Sequence, residues 1–241
     1  MERNYEKIST ILIIAILGVQ LFNMVQIASM QGMNIPTGIQ SVSASVVPTG
    51  VPMIYGSEMG IRYDDINPND QVKANKVIDM MGNFDRTMSL TGKDLDRYIK
   101  ITSEISCEYC CGATSIIFRK EDIERINQQV DAAINAGKIT EEQAQQYRRN
   151  AGEAACGCAH SYAMRGLAKY LIKNHGTELT DDEILEELGK WKTLFFPTQM
   201  EAKAQALEEN GIEFNYINLG SNRYRGIEQG KTTTGNMVGG C

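Results

Sequence analysis

Two short segments hold the residues of this chain best suited to chemistry. They read CEYCCG at 107–112 and ACGCAH at 155–160, and they contain five of the six cysteines and one of the two histidines. The candidate ligand set is therefore five thiols and one imidazole, namely Cys107, Cys110, Cys111, Cys156, Cys158 and His160. Thiolate and imidazole groups at such close spacing are typical of metal sites.

The spacing within each segment favours one shared site. C-x-x-C and C-x-C let a tight turn aim two sulfur atoms at one ion, and Gly112 and Gly157 suit such turns because glycine accepts positive φ angles. Cys158 stands where we expect a helix to begin, and a helix N-terminus stabilises a thiolate. The sequence therefore predicts that the two segments converge on one soft metal ion, Zn²⁺ or Cu(I), with an iron–sulfur cluster less favoured because the spacing differs from ferredoxin patterns.

Two other uses of these cysteines stay open. Six cysteines could form a disulfide framework that braces a surface interaction protein, although five thiols in two hexapeptides make poor staples for distant loops. A thiol redox enzyme is the other alternative, with Cys110 or Cys158 as nucleophile. No G-x-S-x-G, P-loop or H-E-x-x-H motif occurs, so the residues favour a protein that is not an enzyme.

The secondary structure expected around these residues is mostly helical. Apolar spacing and capping signals predict a compact helical domain over 71–219, with short β segments at 115–118 and 212–218. The segment between the clusters reads as a charged helical hairpin, with helices at 120–136 and 140–153. Further helices are expected at 160–174, from 180 and at 198–209. Such a hairpin would return the chain from the first cluster to the second.

The N-terminus predicts a membrane attachment. Residues 8–28 carry no charge, and a helix of that length spans a bilayer core of about 30 Å. Arg3 and Lys7 precede this stretch, and Arg62 is the first basic residue after it, which predicts a cytoplasmic N-terminus and an extracytoplasmic C-terminal domain. We thus expect a single-pass signal-anchor over 1–30 in the cell membrane, with a cleaved signal peptide as its rival.

The segments on either side of the helical domain and the net charge of the chain give the remaining predictions. Pro- and Gly-rich residues 31–70 are expected to form a tether, and residues 220–241 a flexible tail. Amides at Gln20, Asn23 and Gln26 could join anchor helices into a homo-oligomer. The net charge of −6 argues against nucleic acid as a partner. The expected protein is therefore a membrane-anchored metal-binding protein for metal trafficking or sequestration, or a docking domain with a structural metal.

Overall fold

The computed structural model describes residues 46–229 and 237–239, and this part of the chain is a compact, mostly helical domain. Its nine α-helices, numbered in chain order, are α1 Gly56–Met59, α2 Gln71–Thr87, α3 Gly92–Ser103, α4 Lys120–Asn135, α5 Glu141–Ala144, α6 Ala159–His175, α7 Asp181–Phe195, α8 Pro197–Glu209 and α9 Tyr216–Gly220. Two single-turn 3₁₀ helices lie at Tyr63–Asp65 and Asn222–Tyr224. The predicted helical class is confirmed for the described residues.

Helix α6 is the central element of the domain. Residues on most of its circumference are buried, and α2 packs along it. The two helices approach closely because Gly166 and Gly82 lack side chains at the crossing. A Cβ at Gly166 would overlap the carbonyl of Met81, and one at Gly82 would overlap the ring of Tyr162. The helix that carries half of the candidate site is therefore held firmly by the core.

Residues 46–70 belong to this core, although we expected a tether over 31–70. Tyr55 and Tyr63 are buried, and both of their hydroxyls donate to Glu187 at 2.7 Å. Trp191 of α7 in turn donates its indole N–H to the Tyr55 hydroxyl at 2.6 Å. Aromatic side chains thus order a segment whose proline and glycine content suggested a linker. The expectations for residues 1–45 lie outside the described residues.

The described residues of the expected tail, 220–229 and 237–239, also pack against the domain. Val238 is fully buried, and its N–H donates to the carbonyl of Phe195 at 3.0 Å. Gly239 donates its N–H to the side chain of Gln71 at 2.9 Å. The polar composition of this segment concealed a buried contact with α7.

The two β segments and one helix differ from the sequence prediction. Residues 115–118 make only isolated bridges, such as Ile117 to Ala154. Residues 212–218 are not a strand, because Asn215 caps α9 by accepting from the N–H of Asn218. The helix expected over 140–153 is limited to α5, after which the chain leaves helical geometry. Among the described residues, no helix is both long and apolar enough to cross a bilayer, and the expected anchor at 8–28 lies outside them.

Candidate metal centre

The first cluster forms a tight turn between α3 and α4. The N–H groups of Gly112 and Cys110 both donate to the carbonyl of Cys107, at 3.0 and 3.4 Å, and Gly112 has a φ of 72°. The N–H of Cys107 donates to the carbonyl of Ala113 at 3.0 Å, which closes the turn. The chain thus reverses within six residues, and Cys107 is buried while Cys110 is half-buried and Cys111 is exposed.

The second cluster leads into the N-terminus of α6. Cys158 is the N-cap residue of this helix, and its sulfur accepts from the N–H of Ser161 at 3.4 Å. The Ser161 hydroxyl donates to the carbonyl of Cys156 at 3.0 Å. The predicted placement of Cys158 at a helix start is therefore confirmed. Ser161 binds both Cys158 and Cys156 and so fixes the turn that precedes the helix.

Arg165 of α6 ties the two cysteine segments together. One of its guanidinium nitrogens donates to the carbonyl of Cys156 at 2.9 Å and to that of Ile116 at 3.3 Å. The same guanidinium pairs with Asp85 of α2 at 2.8 Å, and the Arg165 side chain is only 4% exposed. Ile116 also accepts from the N–H of Ala155 at 3.2 Å. A buried ion pair thus sets the distance between the chain segments that carry the cysteines.

The sulfur atoms of the two clusters meet. The Cys107 and Cys158 sulfurs lie 3.1 Å apart, and both of these cysteines are free thiols. Cys111 and Cys156 are joined by a disulfide bond. Cys110 is not among the free thiols of the described residues. The predicted convergence of residues 45 positions apart is therefore present.

Two overlapping groups of ligand atoms result from this convergence. In each group the ligand atoms all lie within 4.8 Å of one another, and the groups are Cys107, Cys156, Cys158 and Cys110, Cys158, His160. Cys158 belongs to both groups, whereas Cys111 belongs to neither. The geometry brings four of the other five sequence-predicted residues within metal-binding reach of Cys158, and it places the fifth, Cys111, in a disulfide with Cys156.

His160 is buried beside this cluster with a fixed ring. Its Nε2 atom lies 2.8 Å from the carbonyl of Val238, and the ring centroid lies 4.9 Å from those of Phe195, which is tilted against it, and Phe196, which meets it edge-on. Because a carbonyl only accepts, Nε2 carries a proton, and a further hydrogen bond of the side chain reaches Cys158. Metal-binding histidines characteristically use one nitrogen for a backbone carbonyl and the other for the site.

The two free thiols differ strongly in acidity. The hydrogen bond from Cys107 lowers the pKa of Cys158 to about 3, with further help from His160 and from Ser161. The same hydrogen bond and burial raise the pKa of Cys107 above its ordinary value. Cys158 is thus a thiolate and Cys107 a thiol that donates to it. A thiolate is the form in which cysteine binds metals and attacks disulfides.

A buried charge network below the first cluster was not predicted from the sequence. The Lys192 ammonium is fully buried and donates to Glu108 at 2.9 Å, to Ser106 at 3.1 Å and to the carbonyl of Gly220 at 3.0 Å. Lys203 is also fully buried and lies 3.5 Å from the same Glu108 carboxylate. Burial lowers the pKa of Lys192 to about 8. A net positive charge is thereby placed next to the sulfur cluster.

Part of this network had a signal in the sequence. Lys192 follows Leu188 by four residues and precedes Phe195 by three, so it lies on the buried face of α7. Glu108 lies within the first cluster itself. A lysine on an apolar helix face indicates a buried cation that needs an anionic partner, but nothing in the sequence identifies Glu108 as that partner. Val238 and Arg165, by contrast, come close to the site only when the chain is folded, and their positions in the sequence give no signal of it.

Comparisons of the chain with protein-family models, with curated proteins and with solved structures give no match. The function is therefore argued from the chemistry of the site alone.

Proposed function

We propose that this protein binds a soft metal ion, Zn²⁺ or Cu(I), at the cluster formed by Cys107, Cys110, Cys156, Cys158 and His160. The observation that carries the proposal is the pair of three-residue groups that share Cys158, each with its ligand atoms within 4.8 Å. Thiolate and imidazole ligands select these metals over hard cations such as Mg²⁺ and Ca²⁺. Cys156 and Cys110 are both disulfide-bonded in the structure, so each serves as a ligand only after reduction.

Metal trafficking or sequestration is the use that the site favours. Cys110 and Cys158 are half-buried and Cys111 is exposed, so one side of the cluster is reachable from solvent. Structural zinc sites are closed by four protein ligands, whereas a site that exchanges its metal needs access for a partner. In this proposal the N-terminal segment anchors the protein in the cell membrane and holds the domain on its outer side.

A binding experiment on the full chain tests the metal function. The reduced protein is titrated with Zn²⁺ and with Cu(I) against a competing chelator, and the bound metal is measured by mass spectrometry. Cys158→Ser removes the ligand shared by both groups and is expected to weaken binding by about 100-fold or more. Cys111→Ser is the matched control, because Cys111 lies in neither group, and it is expected to bind like the unmodified protein.

Equal binding by the two variants would contradict the proposed ligand set. Stoichiometric binding of neither metal would contradict the function itself. A brown protein with acid-labile sulfide would instead indicate an iron–sulfur cluster.

A thiol redox function is the second candidate, favoured by the contact of a thiolate with a buried thiol at Cys158 and Cys107. Reduction of a small-molecule disulfide by the metal-free protein tests it. A rate no higher than that of the Cys158→Ser variant would contradict it.

A further inference from the structure

A dithiol and a disulfide lie side by side in this cluster. The Cys107 and Cys158 sulfurs are 3.1 Å apart as free thiols, and the Cys156 sulfur, which is bonded to Cys111, lies within 4.8 Å of both. Thiol–disulfide exchange requires that an attacking sulfur reach a sulfur of the disulfide. Among the described residues this arrangement supplies the attacking sulfur, the target and a second thiol to complete the exchange.

The surroundings hold the sulfurs close to one another and leave open space beside the two turns. Cys158 is fixed at the N-terminus of α6 by the N–H of Ser161. Gly157 lies between the attacking and the attacked cysteine, and no atom outside its neighbours lies within 4 Å of the position its Cβ would occupy. Gly112, which follows Cys111, has the same open surroundings. The space next to both cysteine-bearing turns is therefore open at these two glycines.

We propose that the cluster carries out dithiol–disulfide exchange within the protein, which moves the bond from Cys111–Cys156 to Cys107–Cys158. In the first step the Cys158 sulfur bonds to the Cys156 sulfur, and Cys111 leaves as a thiolate. In the second step Cys107 bonds to Cys158 and releases Cys156. The four cysteines hold one disulfide before and after, so no external oxidant or reductant is needed. The negative charge of the Cys158 thiolate passes to Cys111 in the first step, and the proton of Cys107 passes to the released sulfur of Cys156 in the second, so charge and protons balance.

The exchange has a consequence for metal binding, and this part rests on the proposed function. The isomer with the Cys111–Cys156 bond leaves Cys158, the residue shared by both ligand groups, free to bind a metal. The isomer with the Cys107–Cys158 bond removes the ligand that both groups share. The position of one disulfide thus selects between a competent and an incompetent site, and a bound metal holds the protein in the first isomer.

Disulfide mapping of the full chain tests the exchange. The metal-free protein is kept at pH 8 without reductant, quenched with acid, unfolded, and labelled with N-ethylmaleimide, and the labelled cysteines are located by tandem mass spectrometry. Exchange predicts molecules that carry label on Cys111 and Cys156 and a Cys107–Cys158 bond. We expect about tenfold more label on Cys111 than in Cys158→Ser, which lacks the attacking sulfur.

A second variant separates the two steps. In Cys107→Ser the exchange is expected to stop after the first step, with a Cys156–Cys158 bond and label on Cys111 but not on Cys156. Absence of label on Cys111 and Cys156 in the unmodified protein would by itself overturn the proposal, whatever the variants show.

Addition of Zn²⁺ or Cu(I) before the quench separates this proposal from the metal function. Loss of the Cys111 and Cys156 label supports the link between the two. Exchange that continues unchanged at saturating metal would leave the exchange standing and overturn its link to metal binding.

Discussion

The low pKa of Cys158 makes a prediction about how its reactivity changes with pH. An ordinary cysteine has a pKa of about 8.5, so only about 0.03% of it is thiolate at pH 5. The hydrogen bond from Cys107 lowers the pKa of Cys158 to about 3, so this residue is fully ionised from pH 5 upwards. We expect its alkylation rate to be flat between pH 5 and pH 8, whereas that of an ordinary thiol rises about 1,000-fold over the same range.

The absolute rates add a second test. Thiolate nucleophilicity falls with pKa with a slope of about 0.45, so a pKa lowered by about 5.5 makes the Cys158 thiolate about 300-fold less nucleophilic than an ordinary one. Cys158 is therefore expected to react faster than an ordinary cysteine below about pH 6 and more slowly above it. Partial burial of Cys158 lowers its alkylation rate by the same factor at every pH, so the rate stays independent of pH.

The assay is iodoacetamide labelling of metal-free protein, followed at Cys158 by mass spectrometry, with the unfolded protein as the ordinary reference. Cys107→Ala removes the hydrogen bond that lowers the pKa most, so the alkylation rate of Cys158 in this variant should regain pH dependence. A rate at Cys158 in the unmodified protein that rises tenfold for each pH unit would refute the reasoning, because the thiolate would then not be preformed.

Three further predictions concern stability, measured by urea denaturation of the metal-free protein. Arg165→Met removes the buried guanidinium from Asp85, whose side chain is 13% exposed, and leaves Lys169 as the cation paired with it among the described residues; we expect a loss of about 3 kcal/mol. Gly166→Ala forces a Cβ into the carbonyl of Met81 and should cost about 1–3 kcal/mol, whereas Gly157→Ala, which meets open space, should cost little. The depressed pKa of Lys192, about 8, means that the folded protein loses this proton before the unfolded chain does. Stability should therefore gain a contribution of about 2 kcal/mol as pH rises from 7.5 to 9.5, and Lys192→Met should remove that gain. Equal slopes in the two proteins would contradict this assignment.

Local signals in the sequence were enough to predict most of the helices. Thr180 and Glu183 form the expected capping box at the start of α7, and α4, α6 and α8 begin and end within two residues of the predicted bounds. Thr140 and Gln143 also form their capping box, yet α5 ends after four residues. A cap defines where a helix starts, but its length depends on packing, and few residues that follow Ala144 are buried.

The failures at 212–218 and 46–70 have a common physical origin. Alternation of apolar and polar residues in IEFNYIN is typical of a strand, but among the described residues no strand lies beside it to accept its hydrogen bonds. Tyr55 and Tyr63 looked like parts of a linker because their partner, Glu187, lies more than 120 residues away. Contacts at such distances along the chain leave no periodic pattern that a local reading could detect.

The ligands of the candidate site could be predicted from the sequence, but the groups that hold those ligands in place could not. Cysteine and histidine reveal themselves by residue type and spacing, so the six residues could be named from the sequence. The carbonyl of Val238 that fixes His160 and the Arg165–Asp85 pair that holds Cys156 come from elsewhere in the fold. A backbone carbonyl carries no sequence signature at all, and such partners emerge only from tertiary structure.

The contacts that hold the ligands in place indicate how metal binding and folding are related in this protein. A zinc finger is unfolded without its metal because it has no other core. Here α6 is buried against α2 and α7, Cys158 and His160 are positioned by hydrogen bonds to backbone groups, and Cys156 is held by Arg165, which is paired with Asp85. These contacts do not involve the metal, so the ligands are arranged before it arrives. Metal at 100 times its Kd would then add about 2.7 kcal/mol to a fold that already exists. Retention of helical circular dichroism after metal removal would thus favour exchange over a structural role, and its collapse would reverse that conclusion.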